Sequence, residues 1–137
     1  MKVLLDTNVI LDVILSREPY LRESEEILTL ACREEIEAAA TASSITDIYY
    51  IVSKRLGDAA ARDALRNLFN ILVIICVDGD DCVRALDLPM ADYEDALVTV
   101  CADKSEIDCI ISNDEKLLQA NHTSVRVVST SNFLEAL

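Results

Sequence analysis

The sequence predicts an α/β fold, a three-layer α/β/α sandwich around a central, mainly parallel sheet. Three observations predict it. Short apolar runs of strand length alternate along the chain with longer stretches whose apolar residues recur at helical spacing. Only two Gly and two Pro occur in 137 residues, too few for the many turns of an all-β protein. Hydrophobic residues make up 52% of the chain. A single domain spanning residues 1–137 can then bury roughly 68% of its unfolded surface without metal or disulfide staples.

Taken in order, residues 3–5 read as a short buried strand and residues 8–15 as a helix packed on it. Pro19 suits the first turn of a second helix, where its missing N–H costs nothing. In that helix Ile27, Leu28 and Ala31 share an inner face, and Glu23, Glu25 and Glu26 turn to water. Glu37–Thr41 is a small-residue strand. A third helix starts at Ser44, contains Tyr49, Ile51 and Val52, and closes near Gly57. Residues 58–70 form a fourth, with Ala61, Leu65, Leu68 and Phe69 inward. Residues 71–77, apolar throughout and rich in β-branched side chains, read as a central strand covered on both faces.

Residues 80–86 form a short helix stopped before Pro89. Asp92 caps a longer helix, in which Ala96, Leu97, Val100 and Cys101 make a stripe at helical period. Residues 107–112 are another buried strand, followed by a brief helix from Glu115. Residues 124–129 are the last strand and residues 132–137 a closing helix.

Composition narrows the chemistry. Cys32, Cys76, Cys82, Cys101 and Cys109 are odd in number, lack a CxxC pair and sit mostly in apolar surroundings, so they read as buried free thiols. His122 is the one histidine, which argues against a zinc site or a His-based triad. It sits in a glycosylation sequon, Asn121-His122-Thr123, without a secretion signal to bring it to that machinery. The N-terminal apolar run is interrupted by Asp6, Asn8 and Asp12, and residues 71–77 fall far short of the ~20 a membrane span needs. A cytoplasmic protein with no membrane partner is expected. The net charge of −13 argues against broad electrostatic capture of nucleic acid. Lys54, Arg55, Arg62 and Arg66 are close in sequence and supply either a local basic stripe or a solvated helix face.

Chemistry must therefore come from carboxylates. Asp6 follows the first strand, and Asp114 follows the strand at 107–112. Asp47 lies three residues after Ser44, in capping-box spacing, and Asp95 three after Asp92. Each has a structural reading, because acids complement helix N-termini. Jointly they point further. In an open parallel sheet, ligands bind beyond the carboxyl ends of the strands, where these acids lie. Converging carboxylates repel unless a cation sits between them. Oxygen donors without His or Cys select Mg²⁺ or Mn²⁺.

The segments LLDTNVILDVIL, SSITDIYYI, ADYEDALVTVCA and IDCIISNDEKL, in that order, resemble the successive signatures of PIN domains, in particular the VapC-like toxin branch. The resemblance implies a PIN-type sandwich and a metal-dependent endoribonuclease that prefers single-stranded RNA and is paired with an antitoxin. It places the family's acids on Asp6, Asp47, Asp95 and Asp114, with Asp6, Asp95 and Asp114 holding Mg²⁺ or Mn²⁺. Its small hydroxyl positions fall on Thr7 and Ser112, and its polar partner of the first acid on Asn8, all three assigned to substrate binding. Asp47 replaces the commoner Glu and is one methylene shorter. Asp92 is left as a helix cap and Asp12 as structural. Arg17 and Tyr50 are open between a salt bridge or packed ring and substrate contacts. A homodimer is compatible with the family and with the aliphatic helix faces.

The rival reading is a non-catalytic PIN-fold binding or scaffold module, which retention of all four acids opposes. A haloacid-dehalogenase-type phosphatase needs D-x-D, and here Asn8 stands in place of the second acid.

Overall fold

Val3, Leu4 and Leu5 are all essentially inaccessible to solvent, yet their side chains serve two different cores. Val3 and Leu5 point to one face of the sheet and Leu4 to the other, the alternation that a strand imposes. These residues form β1 (Lys2–Leu5) in a computed structural model that describes residues 1–120 and 124–137. The sequon and His122 lie outside the described residues.

The chain continues through α1 (Thr7–Ile14), α2 (Leu21–Cys32), β2 (Glu37–Thr41), α3 (Ala42–Leu56), α4 (Asp58–Phe69) and β3 (Val73–Ile75). It then forms α5 (Gly79–Ala85), α6 (Tyr93–Lys104), β4 (Cys109–Ile111), α7 (Glu115–Leu118), β5 (Arg126–Val128) and α8 (Thr130–Glu135). All four strand pairings are parallel, in the order β3-β2-β1-β4-β5. Val3 and Leu5 pack with residues of α1 to α4 and α8, and Leu4 packs with α5, α6 and α7. The three-layer sandwich expected from the sequence is the observed architecture.

The order of strands positions the site. From β1 the chain steps outward to β2 and β3, then returns to place β4 on the other side of β1. That reversal opens a crevice beyond the carboxyl ends of β1 and β4, where open α/β sheets bind ligands. Asp6 leaves one of these strands and Ser112-Asn113-Asp114 leaves the other. The α6 helix, buried on every side from Ala96 to Ala102, anchors the acids of its first turn over the same edge.

Several local expectations are corrected. The apolar run at 71–77 is an edge strand of three residues, with Val73 and Ile74 exposed by 44% and 37%. The α3 helix begins at Ala42, capped by Thr41, whose hydroxyl accepts from the Ser44 backbone N–H. No Ser44–Asp47 capping box forms, because Ser44 already lies in the first turn. Pro19 precedes α2 and its cap residue Tyr20. Phe69 is half exposed, and Glu23 turns in far enough to accept a hydrogen bond from the Thr130 hydroxyl at 2.9 Å. Of the five free cysteines only Cys101 and Cys109 are buried; Cys32 and Cys76, at the end of α2 and after the edge strand, are exposed. Between α5 and α6, the buried carboxylate of Asp81 closes a capping box with Asp78 and pairs with Lys104.

Candidate active site

Asp6 is the single residue between β1 and α1. Its backbone is extended, as a cap residue's should be, but its side chain makes no capping hydrogen bond. Thr41, Asp78, Asp92, Asp114 and Ser129 all cap their helices with side-chain oxygens. Asp6 differs. Its Oδ2 accepts from the Ser112 hydroxyl at 2.7 Å, and the Ser112 Oγ in turn accepts from the Asp114 backbone N–H at 3.0 Å. Ser112 thus couples the acid after β1 to the acid after β4. It is fully buried, and its hydroxyl links the two acids.

Above this link lies a cleft of about 390 Å³. Asp6, Thr7 and Asn8 form its floor from the start of α1, and Asp114 enters from the start of α7. Asp47 and the ring of Tyr50 reach it from α3, and Asp92, Glu94 and Asp95 from the first turn of α6. The structure therefore brings together all four acids singled out from the sequence, together with Thr7 and Asn8. Asp47 lies beyond the first turn of α3, so capping does not explain it. Asp92 uses one carboxylate oxygen to cap α6, accepting from the Asp95 backbone N–H at 3.1 Å. Asp95 is left with its own side chain for the cleft. Tyr50, which could have been a packed ring, is 58% exposed at the rim.

Glu94 went unrecognised in the sequence, where it reads as one more acid between two better motif positions. Its carboxyl meets that of Asp47, and desolvation followed by that contact and the charges of Asp47, Asp92 and Asp6 pushes its pKa up to about 7. Asp95 rises to about 6, first through desolvation and then through Asp92, Asp6 and Asp114. Asp6 is also raised, chiefly by burial, against the opposing effect of the Ser112 hydrogen bond.

Mg²⁺ or Mn²⁺ fits this donor set. Every candidate ligand is a carboxylate oxygen, and the pKa values of Asp6, Asp95 and Glu94 are raised first by desolvation and then by neighbouring carboxylates, both of which a bound cation would offset. Among the described residues, no group of three or more Asp, Glu, His or Cys side chains is placed to hold a metal ion as it stands, so the fit lies in the chemistry of the donors and not in a preformed cage. An open cleft suits a cation that keeps several waters and leans on one or two carboxylates.

A pH dependence follows. A carboxyl whose folded pKa is raised holds its proton more tightly than the unfolded chain does. The associated stability is full below the ordinary values of 3.8 and 4.5 and is lost as pH rises through about 6 for Asp95 and about 7 for Glu94. In EDTA the protein should melt a few degrees lower at pH 8 than at pH 5, corresponding to about 1 kcal/mol after solvent screening of the exposed rim. Glu94→Gln should flatten that fall when melting is followed by calorimetry. An equal fall in the variant would show that Glu94 is not its source.

Comparison with known proteins bears on this geometry. A family model described as PIN domain matches residues 2–116. A curated relative, "Ribonuclease VapC1" of Aquifex aeolicus, is 27% identical over 139 residues, covering 98% of this chain and 94% of the relative. Among solved structures, VapBC2 from Rickettsia felis bound to a promoter DNA fragment superimposes with a TM-score of 0.72 at 17% identity, covering 94% of this chain and 98% of that one. The sarcin-ricin-loop-cleaving toxin VapC20 of Mycobacterium tuberculosis gives 0.69 at 15% identity, covering 90% and 98%. At these identities the structures establish likeness of fold.

Proposed function

Because the chain belongs to the PIN-domain family, we propose that it is a metal-dependent endoribonuclease of single-stranded RNA, the toxin of a type II toxin–antitoxin pair. One observation carries this reading. Asp6, Asp47, Asp95 and Asp114, from four separate segments, line one cleft at the switch point of the sheet. The ribonuclease relative supports the activity, and the likeness to VapBC complexes supports an antitoxin partner. A scaffold module would have no need to gather half-buried, mutually repelling carboxylates in one cleft.

Asp6, Asp95 and Asp114 would hold Mg²⁺ or Mn²⁺. Such an ion, when bound, activates water and neutralises charge on the phosphate in transit. The protein's own part is positional. Ser112 fixes Asp6 relative to Asp114, and the Asp92 cap fixes the first turn of α6 beneath Asp95. Thr7 and Asn8 present polar groups to the strand of RNA from the floor of the cleft. An antitoxin would meet so acidic a cleft with Arg or Lys. No described helix is long and apolar enough to cross a membrane, and a cytoplasmic RNA target belongs to the same reading.

Purified protein should cut single-stranded RNA with Mn²⁺ or Mg²⁺, leaving 3′-hydroxyl and 5′-phosphate ends, and EDTA should stop it. Binding without cleavage under every metal condition would favour the scaffold reading.

A further inference from the structure

The acidic cleft does not end at its acids. Past Asn8 and Asp114, which line both, it opens into a lobe of about 620 Å³ bordered by Arg17 together with the acids Asp12, Glu18 and Glu115. Past Asp92 and Asp95, again shared, it opens into a second lobe of about 410 Å³ bordered by Lys116. In a chain with 25 acidic and 12 basic residues, a cation on each side of the acidic centre is an arrangement that needs a cause.

Arg17 is built into place. The α1 helix ends in a Schellman motif: the Arg17 N–H returns to the Asp12 carbonyl at 2.9 Å and the Ser16 N–H to the Val13 carbonyl at 3.3 Å. Ser16 takes the left-handed position with φ 52°, where glycine is the relaxed choice. The turn folds Arg17 back along its own helix. Its Nε donates to Asp12 Oδ1 at 3.0 Å, and its Nη2 to Asn8 Oδ1 at 3.2 Å and to the Asn8 carbonyl at 3.4 Å. The Asp12 side chain is only 9% exposed, against 35% for Arg17. A buried acid therefore holds a half-open guanidinium whose Nη1 remains uncommitted among the described residues. Because Asn8 Oδ1 accepts from Arg17, its Nδ2 donors are left for the cleft. Asn113 borders the same lobe, and its buried Nδ2 has no hydrogen-bond partner among the described residues. On the opposite side, Lys116 is exposed and forms no ion pair among the described residues.

We propose that Arg17 and Lys116 are phosphate anchors on either side of the acidic centre, holding the nucleotides that flank the cleavage point. A single strand carries a phosphate at every nucleotide, so a strand crossing the acids places phosphates in both lobes. The anchors supply the local attraction that the net charge denies, and Arg17 orients Asn8 as it does so. This rests on the nuclease reading and specifies its substrate track.

The test measures binding of a fluorophore-labelled single-stranded RNA to non-cleaving Asp95→Asn protein over a range of salt. Arg17→Ala and Lys116→Ala, each made in that background, should weaken binding about tenfold and reduce the slope of log affinity against log salt by about 0.7. Arg17→Lys should restore most of the slope. Arg66→Ala, which removes an exposed charge on α4 outside both lobes, should leave it unchanged. Since Arg17→Ala strands the buried Asp12 carboxylate, the paired Asp12→Asn/Arg17→Ala variant keeps that site neutral and should give the same reduced slope. An unchanged slope in the Arg17 and Lys116 variants, with wild type still cutting RNA, overturns the anchors and leaves the nuclease intact. If wild type does not cut and Asp95→Asn does not bind, both fall together.

Discussion

Asp95→Asn protein should lose about a thousandfold in kcat on single-stranded RNA while staying folded, a loss of about 4 kcal/mol of transition-state stabilisation. The two halves of that expectation have separate structural causes. Activity should collapse because Asp95 is the acid that α6 presents to the cleft with no hydrogen bond to occupy its side chain, while its neighbour Asp92 is engaged in the cap. Folding should survive because Asp95 supports the helix only through its backbone, whose N–H meets Asp92 and whose carbonyl accepts from the Thr99 hydroxyl at 2.8 Å. Removing its charge also relieves repulsion from Asp92, Asp6 and Asp114. In EDTA the variant should melt at or above the wild-type temperature, with an unchanged circular dichroism spectrum. Cleavage at the wild-type rate by variant protein free of contaminating nuclease would sink the assignment of the site.

Why the acids were legible in the sequence and other features were not comes down to the range of the signal. Asp6 and Asp114 interrupt apolar runs, a contrast confined to a few residues, and the switch point that joins them is a consequence of strand order that alternating strands and helices already imply. The position of a strand in the sheet is not local. Residues 71–77 carry the composition of a covered strand, but β3 lies at the edge because, among the described residues, only β2 pairs with it. The Ser44–Asp47 spacing misled for a related reason. Thr41 caps α3 from the last position of β2, and the spacing of a capping box does not reveal whether a better cap stands one turn earlier. The sequence does not single out Arg17, because its placement depends on the left-handed turn at Ser16, and Ser there carries none of the signal that Gly would. Glu94 was hidden by company: three acids in four residues cannot be ranked until the helix shows which of them point into the cleft.

The largest stability effect should come from the carboxylate that interrupts the first apolar run. If Asp6 were present only as a cap, Asn would replace it at little cost, and metal would affect both proteins alike. The geometry leans away from the cap, because the Asp6 side chain makes no capping hydrogen bond and instead takes the Ser112 hydroxyl. Asn keeps an oxygen that can accept that hydroxyl, so Asp6→Asn should fold normally. With EDTA it should melt level with wild type or above it, since one of the repelling charges is gone. Saturating Mn²⁺ should reverse the order. Wild type should gain roughly 2.7 kcal/mol at a hundredfold excess over its dissociation constant, a rise on the order of 10 °C for a chain of this size. Asp6→Asn should keep only a small part of that rise. Asp6→Ala should show the same loss of metal response and a further cost of about 1 kcal/mol, because the buried Ser112 hydroxyl would lose its acceptor. The decisive comparison is the metal-induced shift in wild type against that in Asp6→Asn. Equal shifts would return Asp6 to a purely structural role. A shift confined to wild type would mean that the carboxylate between β1 and α1, which costs stability in the apo protein, is retained for the cation it holds.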